Sequence, residues 1–238
     1  MKKKILGILG GMGPMASAEF LMTIYENRGP VRVEQENPDV ILFSLASTAD
    51  RTAAILGDND NYLYDTLKGN LVRLQAENVH KIIICCFTSH YFLPRLPAEL
   101  TQNIVSIVDV TLREIKKIRR PALLLASLGC YEKQVFQASE LFKNVSDYVI
   151  IPDEKDKAAV HDIIYSDLKV NANKGLACEK LRVLMAKYDT EIFIAGCTEF
   201  HMLVRYIQSH RRDWVGSFID PLLGIALHLE DVLNGRYR

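Results

Sequence analysis

Short, continuous apolar runs alternate with longer segments of helical spacing, and this pattern constrains the 238-residue chain more than any other feature. The runs from Ile5 to Leu9, Val40 to Leu45, Lys81 to Cys85, Ala122 to Ala126, Tyr148 to Ile151, Glu191 to Ala195 and Ser217 to Ile219 read as strands, with a shorter one expected from Ile104 to Val108. Between them, Ser17 to Asn27, Tyr62 to Glu77, Lys155 to Val170 and Leu176 to Tyr188 repeat apolar residues at the spacing of a helix with one buried face. A strand covered on both faces shows no polar alternation, and parallel neighbours need a long crossover, normally helical. The expected class is therefore α/β with parallel sheets.

The pattern runs twice. A strand followed by glycine opens each half, at Ile8-Leu9-Gly10 and at Leu125-Ala126-Ser127-Leu128-Gly129. A strand followed by cysteine sits late in each, at Ile84-Cys85-Cys86 and at Ala195-Gly196-Cys197. Two related α/β domains are expected, residues 1–102 plus 216–238 forming one and 103–215 the other, with a site in the cleft between them. The competing organisation is one larger sheet without internal symmetry.

Lysine plus arginine equals aspartate plus glutamate, 29 each, which argues against a nucleic-acid partner, because displacing counterions from phosphates needs concentrated basic surface. The basic start Met1-Lys2-Lys3-Lys4 is followed by Gly7, Gly10, Gly11, Gly13 and Pro14 rather than by the apolar stretch of a signal peptide. No window approaches the roughly 18 apolar residues of a membrane helix. The five cysteines lack framework spacing and fit reduced thiols, so a cytoplasmic protein without membrane partners is expected.

Cys86 and Cys197 both fall where a parallel strand ends and a helix can begin, the carboxyl edge at which open α/β sheets bind ligands. Helix-start amides there favour a thiolate, lowering a thiol pKa from roughly 8.5. Either cysteine alone reads as a small buried hydrophobe; their matched placement favours chemistry. Cys85, Cys130 and Cys178 have no such match and read as structural. The loop Gly11-Met12-Gly13-Pro14-Met15-Ala16 fits a dinucleotide fingerprint, but the end of the second strand carries Ser44 instead of the acid that holds a ribose. A turn bringing backbone amides to a carboxylate fits better. Zinc on Cys86 with His90 and Cys197 with His201 lacks a close cysteine pair, and no G-x-S-x-G elbow signals a serine hydrolase. Neither a metal nor another cofactor is expected. Arg51, just past the second strand, and Lys169, near the end of a helical run, are candidates to hold an anionic substrate.

These segments together resemble the aspartate/glutamate racemase superfamily, in particular its aspartate racemase branch. The resemblance covers essentially the whole chain through Gly10-Gly11-Met12-Gly13-Pro14, Asp50-Arg51-Thr52, Cys86-Phe87-Thr88-Ser89-His90, Ile164-Tyr165 with Lys169, Gly196-Cys197-Thr198-Glu199, and Ile219-Asp220. It implies two pseudo-symmetric Rossmann-like domains with parallel sheets and an interdomain active-site cleft. It also implies racemisation of a small acidic amino acid without pyridoxal phosphate, and a homodimer. Under it, Cys86 and Cys197 are the catalytic pair and Arg51 and Lys169 bind the side-chain carboxylate. Thr88 and Thr198 serve the amino-acid end, with Met12 and Glu199 also placed at the substrate.

Two thiols on opposite faces of the α-carbon would invert it, one removing a proton and the other supplying one. The sequence departs from the family pattern at Phe87, where asparagine is usual, at Leu45-Ala46-Ser47, where an asparagine-proline pair is usual, and at Ser127 in place of threonine. Phe87 and Ser127 are therefore candidate specificity positions. Aspartate is the expected substrate. The alternatives are glutamate or another amino acid, a related thiol-dependent isomerase, and a non-catalytic ligand-binding relative.

Overall fold

The computed structural model describes residues 3–30, 32–57 and 60–237. Residues 1–2, 31, 58–59 and 238, which include the first part of the basic N-terminus and fall within the expected domain spans, lie outside the described residues.

The first half runs β1 (Ile5–Gly10), α1 (Pro14–Glu26), β2 (Asp39–Ser44), α2 (Arg51–Leu56), α3 (Asp60–Ala76) and β3 (Lys81–Ile84). A 3-10 helix at Thr88–Arg95, then α4 (Ala98–Thr101) and α5 (Ile107–Ile118), lead to the second half. There β4 (Ala122–Ala126), α6 (Leu128–Glu132), β5 (Val149–Ile150) and α7 (Glu154–Asp162) are followed by a π-helical segment, Ile163–Val170. The chain closes with α8 (Lys174–Tyr188), β6 (Ile192–Gly196), α9 (Glu199–His210), β7 (Ser217–Ile219), α10 (Pro221–Leu227) and α11 (Leu229–Leu233).

Two parallel sheets result, ordered β2-β1-β3 and β5-β4-β6-β7. In each half the opening strand is central, its second strand on one side and its third on the other. This is the repeat expected of two Rossmann-like units. The strands β4 and β6 are buried at every position, in keeping with their uninterrupted apolar sequences. Side-chain caps start many of the helices: Asp50 accepts from Ala53 N at 2.8 Å, Ser106 from Asp109 N at 3.1 Å and Asp220 from Leu222 N at 3.0 Å.

Hydrogen bonding places the boundaries differently from the sequence. Ile104 makes a single parallel bridge to Ile82 of the first sheet, and no strand extends to Val108. Ser106 instead caps α5, whose buried Ile107, Val108, Thr111, Leu112 and Ile115 follow helical spacing. The β-branched start of that helix imitates a strand, and burial of one face overrides the local preference. The closing strand β7 pairs with β6, so residues 217–219 belong to the second sheet, whereas the sequence places 216–238 in the first domain. Only afterwards does the chain return, with α10 packing on α1 and α5.

The halves are not independently cored. One apolar cluster takes Leu6, Ile8 and Phe87 from the first half and Leu124, Phe136, Ile194 and Ile219 from the second. Separate clusters fill the outer face of each sheet. This shared layer fixes the two carboxyl edges against each other. At one of them Gly11 has φ +86, and a Cβ there would lie 2.2 Å from the Leu45 backbone nitrogen. Only glycine allows the loops after β1 and β2 to pass so closely.

Candidate active site

Cys86 follows β3 and Cys197 follows β6, at equivalent ends of the two sheets. Both are buried, 6% and 8% exposed. Each cysteine segment is bonded to the opposite half. Thr88 Oγ1 and Ser127 Oγ share a hydrogen bond of 2.9 Å, and Thr198 Oγ1 donates a longer one, 3.5 Å, to the Cys85 carbonyl. The Cys86 charge is also among the influences raising the pKa of Cys197.

Glu199 begins α9 and turns its carboxylate back on the cysteine. Cys197 Sγ donates to Glu199 Oε2 at 2.9 Å. Burial pushes the Cys197 thiol well above its ordinary pKa, and the Glu199 charge adds to the rise while Lys169 opposes it. The other oxygen, Oε1, lies beside Gly13, where a Cβ would come within 2.7 Å of it. The glycine loop thus makes room for a carboxylate of the other half.

Arg51 is the first residue of α2 and only 7% exposed. Its guanidinium donates to the carbonyls of Met12 at 2.6 Å, Ala49 at 2.9 Å and Thr48 at 3.1 Å. The buried Nε has no acceptor among the described residues. Burial disfavours its charge, yet the negative charges at Cys86, Asp50 and Glu199 raise its pKa on balance. One edge of the fork therefore holds two loops, while the buried Nε–H is left without an acceptor among the described residues.

Lys169 comes from the π-helical segment, a geometry that often marks functional sites because it re-aims side chains within one turn. Its Nζ sits 3.8 Å from the Tyr165 ring centroid and 4.0 Å from Glu199 Oε1. Burial works against the ammonium, but Glu199 and Cys197 raise its pKa overall. Tyr165 donates its hydroxyl proton to Asp50 Oδ2 at 2.8 Å, and its oxygen lies 3.0 Å from the Thr52 hydroxyl, which can donate to it, tying this segment to α2 across the halves. Asp50 and Tyr165 lie in segments that carry the resemblance, but neither is among the site residues expected from the sequence. Their signal was only position, one before Arg51 and one turn before Lys169.

The remaining expected residues fall behind the site or at its wall. Met12 lends its carbonyl to Arg51, while its side chain packs into the first-half core and accepts from Ser89 Oγ at 3.4 Å. Phe87 turns away into the shared core, 1% exposed, stacked on Phe136 with centroids 5.3 Å apart. Ser127 caps α6, accepting from Cys130 N at 3.3 Å, as well as meeting Thr88. His90 accepts from Ile107 N at 3.3 Å and bonds the Cys86 carbonyl at 2.9 Å, so it braces the cysteine loop. His201 bonds Asp220 at 2.6 Å and Thr23 at 2.9 Å, anchoring α9 to α10 and α1. Cys85 and Cys130 are buried thiols whose pKa values burial raises, and all five cysteines are unpaired.

Residues 9–222 match the family model described as Asp/Glu/Hydantoin racemase. The chain belongs to the Asp/Glu/hydantoin racemase family. A broad specificity amino-acid racemase, RacX of Bacillus subtilis (strain 168), is 23% identical over 212 residues, covering 86% of this chain and 89% of its own. Among solved structures, the aspartate racemase of Picrophilus torridus matches with a TM-score of 0.79 at 20% identity, over 97% of this chain and 94% of that one. A glutamate racemase from Francisella tularensis, in complex with D-glutamate, matches at 0.59 and 15% identity, over 98% and 81%. At these identities the structural matches establish a shared racemase-family fold of two α/β units, and the family membership rests on the sequence match.

Proposed function

We propose that the protein is an amino-acid racemase acting on a small acidic substrate, aspartate first and glutamate second, through Cys86 and Cys197 and without pyridoxal phosphate. The observation that carries this reading is two buried cysteines at equivalent strand ends of the two sheets, together with a buried arginine whose Nε–H has no acceptor among the described residues. A substrate carboxylate on that N–H, with Lys169 nearby, would fix the α-carbon between the sulfurs. One sulfur removes the α-proton and the other returns a proton to the opposite face. The carbanion that forms between these steps is stabilised by the preorganised cations Arg51 and Lys169. Similarity to an aspartate racemase and to a glutamate racemase supports an acidic substrate.

A second reading is a broader amino-acid specificity. Arg51 spends its other edge on three backbone carbonyls, and Phe87 offers the substrate no hydrogen bond. The similarity to a broad specificity racemase points the same way. Incubation with L- and D-amino acids in heavy water separates the two. The expected result is α-deuterium incorporation with inversion, fastest for aspartate. Cys86→Ala and Cys197→Ala should each slow racemisation by at least about 100-fold. Undiminished racemisation by Cys86→Ala would overturn the two-thiol mechanism.

A further inference from the structure

Glu199 is among the most deeply buried charged residues of the site, 1% exposed. Substrate binding alone does not account for it, since one oxygen is already committed. Oε2 accepts from the Cys197 thiol at 2.9 Å, and the Thr198 hydroxyl, whose one proton can go to it or to the Cys85 carbonyl, lies 3.4 Å away. Oε1 makes no hydrogen bond among the described residues and sees only Lys169 Nζ at 4.0 Å. A carboxylate taken out of water is costly unless a partner uses it. Here the closest partner is a thiol.

Cys86 is placed differently. Its sulfur has no carboxylate partner among the described residues, and the charged side chain near it is the Arg51 guanidinium. The sequence repeats the strand-cysteine arrangement in both halves, yet the carboxylate accompanies one cysteine only.

We propose that Glu199 is a positioning residue that holds the proton on Cys197, so that at rest Cys197 is the acid and Cys86 the base. This rests on the two-thiol reading above. In the resting form the Cys86 thiolate forms a new S–H bond to the α-proton, and the C–H electron pair stays on carbon. Cys197 gives up its S–H proton to the opposite face and becomes the thiolate. The pair carries one proton before and after. The new thiolate beside Glu199 is offset by Lys169, and the resting form returns when Cys86 loses a proton to solvent and Cys197 gains one. The groups that face this pair are Lys169 from the π-helical segment, Arg51 from α2, Cys85 and Cys86 after β3, and Tyr131 from α6. Burial and the Glu199 charge both favour the neutral thiol of Cys197, and Lys169 opposes them.

The test is the iodoacetamide alkylation rate of each cysteine in the substrate-free full chain, resolved by peptide mass spectrometry. Rates are followed from about pH 6 to about pH 10, since the thiolate is the reactive form. Cys86 and Cys197 have similar residue exposure, 6% and 8%, and the change in each cysteine's own rate on substitution separates charge from access. Cys86 should react at least about tenfold faster than Cys197. Glu199→Gln removes the charge at nearly constant shape. It should speed Cys197 by about tenfold and move its rate profile to lower pH, leaving Cys86 within about twofold. Unchanged or slower labelling of Cys197 in the folded variant overturns the proposal, slower labelling meaning that the carboxyl itself carries the proton. If the glutamine chain does not fold, Gly13→Ala displaces the carboxylate sterically and should shift Cys197 in the same direction. No shift there overturns the proposal equally. Alkylation does not depend on turnover. Intact thiol-dependent racemisation with no alkylation shift would defeat the Glu199 role alone. The alkylation shift in a protein that exchanges no α-deuterium would defeat the racemase reading alone.

Discussion

Phe87→Asn would restore the residue usual at this position in the racemases that the chain resembles, and the structure gives a definite expectation for it. The ring is 1% exposed and lies in the apolar layer shared by the two halves, stacked on Phe136 at 5.3 Å with an interplanar angle of 20°. Removing a buried phenylalanine side chain costs about 3–5 kcal/mol through lost transfer energy and the cavity left behind. An asparagine amide left in that layer without partners adds about 1–3 kcal/mol. The sum starts near 4 kcal/mol, a large part of the roughly 5–15 kcal/mol that holds a typical domain together. For a chain of this size, each kcal/mol corresponds to about 2–4 °C, so the melting temperature should fall by about 8–16 °C.

Urea denaturation and thermal melts, run beside racemisation assays at a temperature where both chains are folded, measure the outcome. No gain in aspartate turnover is expected, because the side chain does not reach the site. A variant within about 1 kcal/mol of the parent would mean that the asparagine swings out of the core and that the apolar layer closes behind it. With higher turnover as well, the placement of position 87 behind the site would be wrong.

Arg51→Lys should lower stability by about 2 kcal/mol and raise KM for acidic substrates, because one ammonium cannot serve the carbonyls of Met12, Thr48 and Ala49 and still meet a carboxylate; a melt and a Michaelis curve check both, and an unchanged KM refutes the carboxylate role. Burial lowers the His90 pKa to about 4, below its value of about 6.5 when unfolded, so the unfolded chain binds the extra proton between those pH values. Stability from His90 is therefore complete above about pH 6.5 and is lost as pH falls towards about 4, by at most about 1.4 kcal/mol per pH unit. Denaturation midpoints across that window should fall more steeply for the parent than for His90→Gln, and equal slopes would refute the neutral buried imidazole.

The parallel α/β class and the doubled layout were legible in the sequence because strands such as Ala122–Ala126 and Ile192–Gly196 must be apolar throughout to be covered on both faces. The cysteine positions were legible for a related reason: a ligand edge is where such strands end, and both cysteines fall there. Local order alone could not place what comes together from distant segments. The carboxylate that Cys197 meets is its neighbour but one, yet the glycine that makes room for that carboxylate is Gly13 of the other half. Nor could it tell that Tyr165 and Asp50 join across the halves, or that Ile107–Ile118 is a helix despite its β-branched start. Phe87 shows the division most clearly. Its sequence position, next to Cys86, says it belongs at the site, and its burial against Phe136 takes it away. Adjacent residues on a chain point in different directions, so which of them faces the reacting groups is decided by what packs behind them, and that packing exists only once both halves have folded against one another.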